Sequence, residues 1–346
     1  MTDRLRNWVF PVACCLVAVT GVLLTFGALV TTYEAAMAVP DWPATYGHNM
    51  FLFPFADWFF GPWDLFLEHG HRLLGATVGL ITLCLVATIW SSRQPSAVRA
   101  LAVAAVLLVV LQGVLGGLRV LLDDKTIAKI HACTGPLFLA VAVAVATLTS
   151  PWLRGPAGRQ PSTGGTEPVS IGGWLAGGLL VASYVQLVAG AQLRHLDATV
   201  SHDGFRWLVL LHVAGAAVVT GLSLALVGNA LGMFSGNGQC GGHKTAIRRW
   251  SVTVAGLVGC QVVLGCLAWI VSWGMPLGLL PDALVAALPE PTGVTVARSG
   301  FSAVVVTGHV LLGMLILAAS VVLAIVSGGL PRLGLSPLAS GRRAWV

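Results

Sequence analysis

The sequence predicts an all-α integral membrane protein: eight transmembrane helices arranged as two tandem four-helix bundles related by a pseudo-twofold axis. Three observations carry this prediction. The composition suits a bilayer, helical motifs recur at a fixed offset of four spans, and four histidines lie near the outer ends of apolar segments. Apolar residues make up 56% of the chain and charged residues 9%, against about 25% charge in soluble domains. Mean hydropathy is +0.87.

Windows of about 20 apolar residues, the length that crosses a bilayer, fall at roughly 8–30, 68–90, 100–121, 130–150, 171–193, 206–228, 250–273 and 301–327. Arg4, Arg6, Arg93, Arg99, Arg154, Arg159, Lys244, Arg248, Arg249, Arg332, Arg342 and Arg343 all fall in the termini or the even-numbered loops. The positive-inside rule makes those segments cytoplasmic. Acidic residues such as Asp41, Asp57, Asp64, Asp123, Asp124, Asp203, Asp282 and Glu290 collect on the opposite side. The net charge of +6 therefore reflects topology, and no nucleic-acid-binding stripe is present. The first apolar run is long and has no small-x-small cleavage signal, so it reads as an uncleaved span. With no Arg- and Ser-rich presequence ahead of it, a bacterial cytoplasmic membrane is expected.

The repeat is read from motifs. Gln112-x-Val-Leu-Gly-x-Leu in the third span returns as Gln261-x-Val-Leu-Gly-x-Leu in the seventh. His131-x-x-x-Gly135 in the fourth returns as His309-x-x-x-Gly313 in the eighth. Gly27-Ala28 and Gly190-Ala191 close the first and fifth spans, and His71 and His212 occupy the second and sixth. An even offset gives both copies the same orientation. The chain divides into an N-terminal half (1–150), a cytoplasmic linker (151–170) and a C-terminal half (171–346).

Each half then holds a pair of histidines, His71 with His131 and His212 with His309. An intramembrane histidine is costly unless it has a partner. Neutral imidazole is an axial ligand of heme iron, and bundles build such sites from facing helices. Two bis-histidine hemes would account for all four, interhelical hydrogen bonding without a cofactor being the alternative, and the topology sets them toward the extracytoplasmic side. Gly135 and Gly313, a helical turn beyond their histidines, either admit a flat macrocycle or pack helices together.

The halves differ at the mouth of the second helix, where only the first carries Glu68-His69-Gly70-His71-Arg72. Glu68 and His71 are three residues apart and can face one pocket. Arg72 suits a heme propionate, since guanidinium matches carboxylate geometry. Alternatively, Glu68 is a favourable charge at a helix start and Arg72 an interfacial anchor. His48, His69, His195, His202 and His243 read as mostly solvated, with His195, after Arg194, the candidate for a secondary role at a propionate. Of the seven cysteines, Cys240 alone lies outside a span, and Cys14, Cys15, Cys84, Cys133, Cys260 and Cys266 read as small packing residues. The aromatic first outer loop, from Trp42 to Trp63, is either an interfacial belt or a lid.

In order along the chain, these residues resemble the heme A synthase family. The family's Glu-x-x-His-Arg motif corresponds to Glu68, His71 and Arg72. Its Gln-x-x-Leu-Gly-Gly-x-Arg-Val motif corresponds to Gln112, Leu115, Gly116, Gly117, Arg119 and Val120. Its first-loop Asp-Trp-Pro corresponds to Asp41, Trp42 and Pro43, and its remaining histidines to His131, His212 and His309. The likeness spans roughly residues 8–327.

The resemblance implies an oxidoreductase that turns a ring methyl of heme O into a formyl group, making heme A for cytochrome oxidase. It implies heme b on His212 and His309, relaying electrons. It places substrate heme on His71 and His131 with Arg72 alongside, and Glu68 near the reacting methyl. Heme O synthase and cytochrome oxidase are the implied partners. One departure is that the outer loops lack the cysteine pairs many bacterial members carry. A non-catalytic diheme cytochrome and a heme-handling transporter or assembly protein are the competing classes.

Overall fold

The computed structural model describes residues 2–154, 170–196, 200–232, 242–273 and 299–328. Eight of its helices are long and apolar enough to cross a membrane. They are α1 (Thr2–Thr32), α2 (Trp63–Ser91), α3 (Ser96–Leu121), α4 (Lys125–Thr149), α5 (Ile171–Arg194), α6 (His202–Ala230), α7 (Gly242–Trp273) and α8 (Gly300–Val326). The protein is therefore an all-α, multi-pass membrane protein, with each span close to its predicted place.

The boundaries follow from local chemistry. Pro62 and Pro95 precede α2 and α3, where the missing proline N–H costs nothing because the first-turn donors have no intrahelical partner. Asp124, Ser170, Ser201 and Ser299 cap α4, α5, α6 and α8 by accepting hydrogen bonds from the N–H of Ile127, Gly173, Gly204 and Ser302. Asp123, in the left-handed region at φ 46°, lets α3 turn back into α4 within three residues. Pro136 lies inside α4, which continues through it.

α1 packs on α2, α2 on α3, α3 on α4, and α4 returns to α1. The same cycle runs through α5, α6, α7 and α8. α8 also meets α4 and α1, and α4 meets α5, so α4 and α8 are the most buried spans. Their contact is lined by Leu139, Val143, Ala144, Val321 and Ile325. Ser183 and Ser320 meet across α5 and α8 at 3.5 Å, since small polar residues allow close helix approach. Large apolar side chains such as Leu107, Val110, Trp207, Val304 and Leu315 point outward, as lipid-facing residues do. Cys14, Cys15, Cys84, Cys260 and Cys266 lie on that exposed face and Cys133 is half-buried, so most of these cysteines are not core packing residues. Cys240 and residues 155–169 of the linker lie outside the described residues, as do the outer-loop acids Asp282 and Glu290.

The loop between α1 and α2 is built, not trailing. A short 3-10 turn (Ala35–Met37) leads to a hairpin of β1 (Ala44–Thr45) and β2 (His48–Asn49), then a short helix (Phe55–Phe59). Tyr46 and Gly47, at φ 50° and 77°, form the hairpin turn, as tight hairpins require. The Asp41 carboxylate accepts from the N–H of both, at 2.9 and 2.8 Å. The aromatics divide: Phe51, Phe55, Phe59, Phe60 and Trp63 are exposed, while Phe53 and Trp58 pack on His69.

Candidate functional site

The two pairs of histidines are brought together as their positions in the sequence suggest. The rings of His71 (α2) and His131 (α4) stand 6.4 Å apart at 74°. Those of His212 (α6) and His309 (α8) stand 6.3 Å apart at 67°. Imidazole nitrogens about 2 Å from a metal on either side leave ring centres roughly 6 Å apart, so both pairs have the spacing of two axial ligands.

Every ring is backed by a glycine on the neighbouring helix. A Cβ on Gly27 would come within 2.9 Å of His71, on Gly116 within 3.3 Å of His131, on Gly190 within 3.1 Å of His212, and on Gly265 within 3.0 Å of His309. Gly135 and Gly313, singled out by sequence, instead face Leu24 with Gln112 and Leu187 with Gln261. They serve helix packing around the glutamines.

Hydrogen bonds orient the rings. The Nδ1–H of His71 donates to the Leu23 carbonyl at 3.2 Å, which leaves Nε2 as the free lone pair, the arrangement of a metal-ligating histidine. At the matching place in the second half stands Gln186, four residues before Gly190 as Leu23 is before Gly27. Its Nε2 lies 3.1 Å from Nδ1 of His212 and donates to the His212 carbonyl at 2.8 Å. Gln112 donates to the His131 carbonyl (3.1 Å) and to Thr134, and Gln261 approaches His309 at 3.5 Å. The Nδ1 atoms of His131 and His309 are buried without a hydrogen-bond partner among the described residues. Buried polar atoms rarely stay unpaired, and these observations suit imidazoles built to bind a metal-centred group.

The Glu68–Arg72 pair holds the loop. α2 begins at Trp63, earlier than the sequence suggests, so Glu68 lies beyond the first turn, where a helix-end charge effect fades. Glu68 is 2% exposed. Its Oε1 accepts from Arg72 at 2.8 Å and its Oε2 from the Val39 N–H at 3.0 Å. The Arg72 terminal nitrogens also donate to the carbonyls of Asp41 (2.7 Å), Ala44 (3.0 Å) and Val39 (2.7 Å). Arg72 thus ties the loop to α2, where the sequence suggested a propionate partner. His69, expected to be solvated, is fully buried: Thr45 Oγ1 lies 3.1 Å from its Nδ1, and Trp58 and Phe53 cover it. Trp42 reaches α3, where a Cβ on Gly117 would meet its ring at 2.5 Å. The loop is therefore fastened to α2 and α3, the helices that carry His71 and the glycine behind His131.

Two half-buried arginines complete this end of the bundle. Arg119 donates to the Ala36 carbonyl at 3.3 Å. Arg194 crosses from α5 to α1, donating to the Ala28 carbonyl (3.1 Å) and Thr32 Oγ1 (2.9 Å). His195, beyond the end of α5, is half-buried. Burial first, then the charges of Arg194, Arg119 and Lys129, push its pKa down to about 4.

The fold and site define a polytopic membrane protein with two pairs of facing intramembrane imidazoles and a loop latched to the helix that carries one of them. Residues 62–209, which include Glu68, His71, Arg72, Arg119 and His131, match the COX15-CtaA family, described as cytochrome oxidase assembly protein. The chain is also similar to the heme A synthase of Shewanella oneidensis, with 32% identity over 111 residues. That alignment covers 28% of this chain and 32% of the relative, about a third of that relative's length. Each match covers less than half of this chain.

Proposed function

We propose that this protein oxidises a methyl group on the porphyrin ring of heme O to a formyl group, producing heme A for cytochrome oxidase. The observation that carries this reading is the asymmetry of two otherwise matched sites. Aligning His71 with His212 sets Glu68 opposite Val209 and Arg72 opposite Val213. A diheme electron-transfer protein needs two ligand pairs but has no use for a buried carboxylate and a built loop at one of them.

In this reading His71 and His131 hold and orient the substrate heme, and the latched first loop excludes water from it. Glu68, fixed by Arg72 and Val39, is the group placed to accept a proton from the reacting carbon and to stabilise positive charge developing there. Arg72 acts as a positioning residue. His212 and His309 hold heme b, which when bound supplies one-electron transfer. The basic-residue asymmetry supports both termini and the α6–α7 loop on the cytoplasmic side of a bacterial membrane, with both sites toward the outer face. Heme O synthase is then the natural supplier of substrate.

The test is expression with a heme O synthase in a host that makes no heme A, followed by chromatography of extracted hemes. Heme A should appear only when this chain is present. Heme O alone would refute the reading.

A further inference from the structure

Arg119 and Arg194 share a feature that Arg72 lacks. Each has hydrogen bonds at only one terminal nitrogen, whereas Arg72 uses both on four acceptors. Among the described residues, the arginine–carboxylate ion pairs are Arg72 with Glu68 and Arg206 with Asp203, so neither Arg119 nor Arg194 has a carboxylate against it there. A planar guanidinium carries further N–H donors that call for acceptors. An intramembrane cation with spare donors and no carboxylate in direct contact is costly and marks a binding partner.

The two arginines flank the two histidine pairs. Arg119 lies one turn beyond Gly116, which backs His131, and within electrostatic reach of His71, His131 and the Glu68 carboxylate. Arg194 lies one turn beyond Gly190, which backs His212, and within electrostatic reach of His309, whereas His195 faces the charges of Arg119 and Lys129 as well. Neither comes from the internal repeat. The Gln112–Gln261 alignment sets Arg119 opposite Ala268, and the Gly27–Gly190 alignment sets Arg194 opposite Thr31. Each half has its own cation on a different helix, as two separate sites for the same anionic group require. A tetrapyrrole held between either pair carries carboxylates on its ring edge, and guanidinium matches carboxylate in planar, bidentate fashion.

We propose that Arg119 and Arg194 are carboxylate-binding residues for the ring propionates, Arg119 at the His71–His131 site and Arg194 at the His212–His309 site. The assignment rests on the heme reading above. It replaces Arg72, whose donors are spent on the first loop.

Heme-depleted purified protein is titrated with heme b and with its dimethyl ester, in which both carboxylates are blocked, and the Soret band is followed. His212→Ala isolates the first site and His71→Ala the second. Each site should bind the free acid about tenfold or more tightly than the ester, the size of a charge-assisted contact. Arg119→Gln should erase that preference at the first site only, and Arg194→Gln at the second only. Ester affinity should stay unchanged in both variants, which also shows that they fold. Equal binding of acid and ester by the unsubstituted arginines would overturn the assignment, as would a preference that survives both substitutions. That result would return these cations to lipid headgroups or helix packing while leaving heme binding intact. Failure of either form to bind with all four histidines present would remove the heme reading itself, and this assignment with it.

Discussion

Gly27 stands so close to His71 that a Cβ there would meet the ring at 2.9 Å, and Gly190 stands in the same relation to His212, at 3.1 Å. These contacts set how far each imidazole can swing. Overpacking of this kind costs roughly 1–3 kcal/mol. Gly27→Ala should therefore weaken heme binding at the first site by about tenfold or more, and Gly190→Ala should do the same at the second. Gly21→Ala, with nothing within 4 Å, should change neither. Titration with heme measures all three, and equal affinities across the set would show that the glycines do not shape the sites.

The second pair should carry the resident heme. His212→Ala and His309→Ala should each abolish the low-spin b-type spectrum of the purified protein, because a single imidazole leaves the iron one strong-field ligand short. A double variant that keeps the full spectrum would contradict the assignment.

Removing the Arg72 guanidinium leaves the Glu68 carboxylate buried without its cation, and the side chains are only 9% and 3% exposed. Breaking a buried pair from one side costs about 3 kcal/mol or more. Arg72→Gln should lower thermal stability and open the segment from Val39 to Ala44 to limited proteolysis. An unchanged cleavage pattern would show that the loop is held by its aromatics alone.

How much of this was legible beforehand depended on whether a feature is periodic or tertiary. Spans are long apolar runs, and the histidine pairs repeat at an offset of four spans, so both could be read directly. His69 could not. Its helical angle pointed away from His71 toward apparent solvent, but Thr45, Phe53 and Trp58 arrive from a loop distant in sequence and bury it. Arg72 was read from its chemistry alone, and only the loop fold revealed that backbone carbonyls use up its donors. Gln186 was missed because its counterpart in the first half is the backbone carbonyl of Leu23, which leaves no trace in side-chain identity. Its four-residue spacing to Gly190 was the available signal.

The hairpin should respond to acid through Asp41. Partial burial alone would raise its carboxyl pKa, but hydrogen bonds from the backbone N–H of Gly47 and Tyr46, with the Arg72 charge, outweigh this and hold it below the usual carboxylate range. A depressed folded value stabilises the turn at pH above the unfolded value of about 3.9, and the contribution is lost as pH falls through the folded value. Amide exchange at Tyr46 and Gly47, corrected for intrinsic rates, should lose protection in that acid range. Asp41→Asn should show weaker protection with little pH dependence, and identical profiles for the two proteins would contradict the role.

The most direct test of the central claim compares the parent protein with Glu68→Gln, each co-expressed with a heme O synthase in a host lacking heme A. The substitution keeps size and one of the two acceptor oxygens that Arg72 and the Val39 N–H use, while removing the charge. The parent should yield heme A. The variant should retain its b-type heme spectrum yet yield none, accumulating heme O or a partly oxidised alcohol. Heme A formed by Glu68→Gln at the parent rate would contradict the account and leave the carboxylate as a latch for the first outer loop.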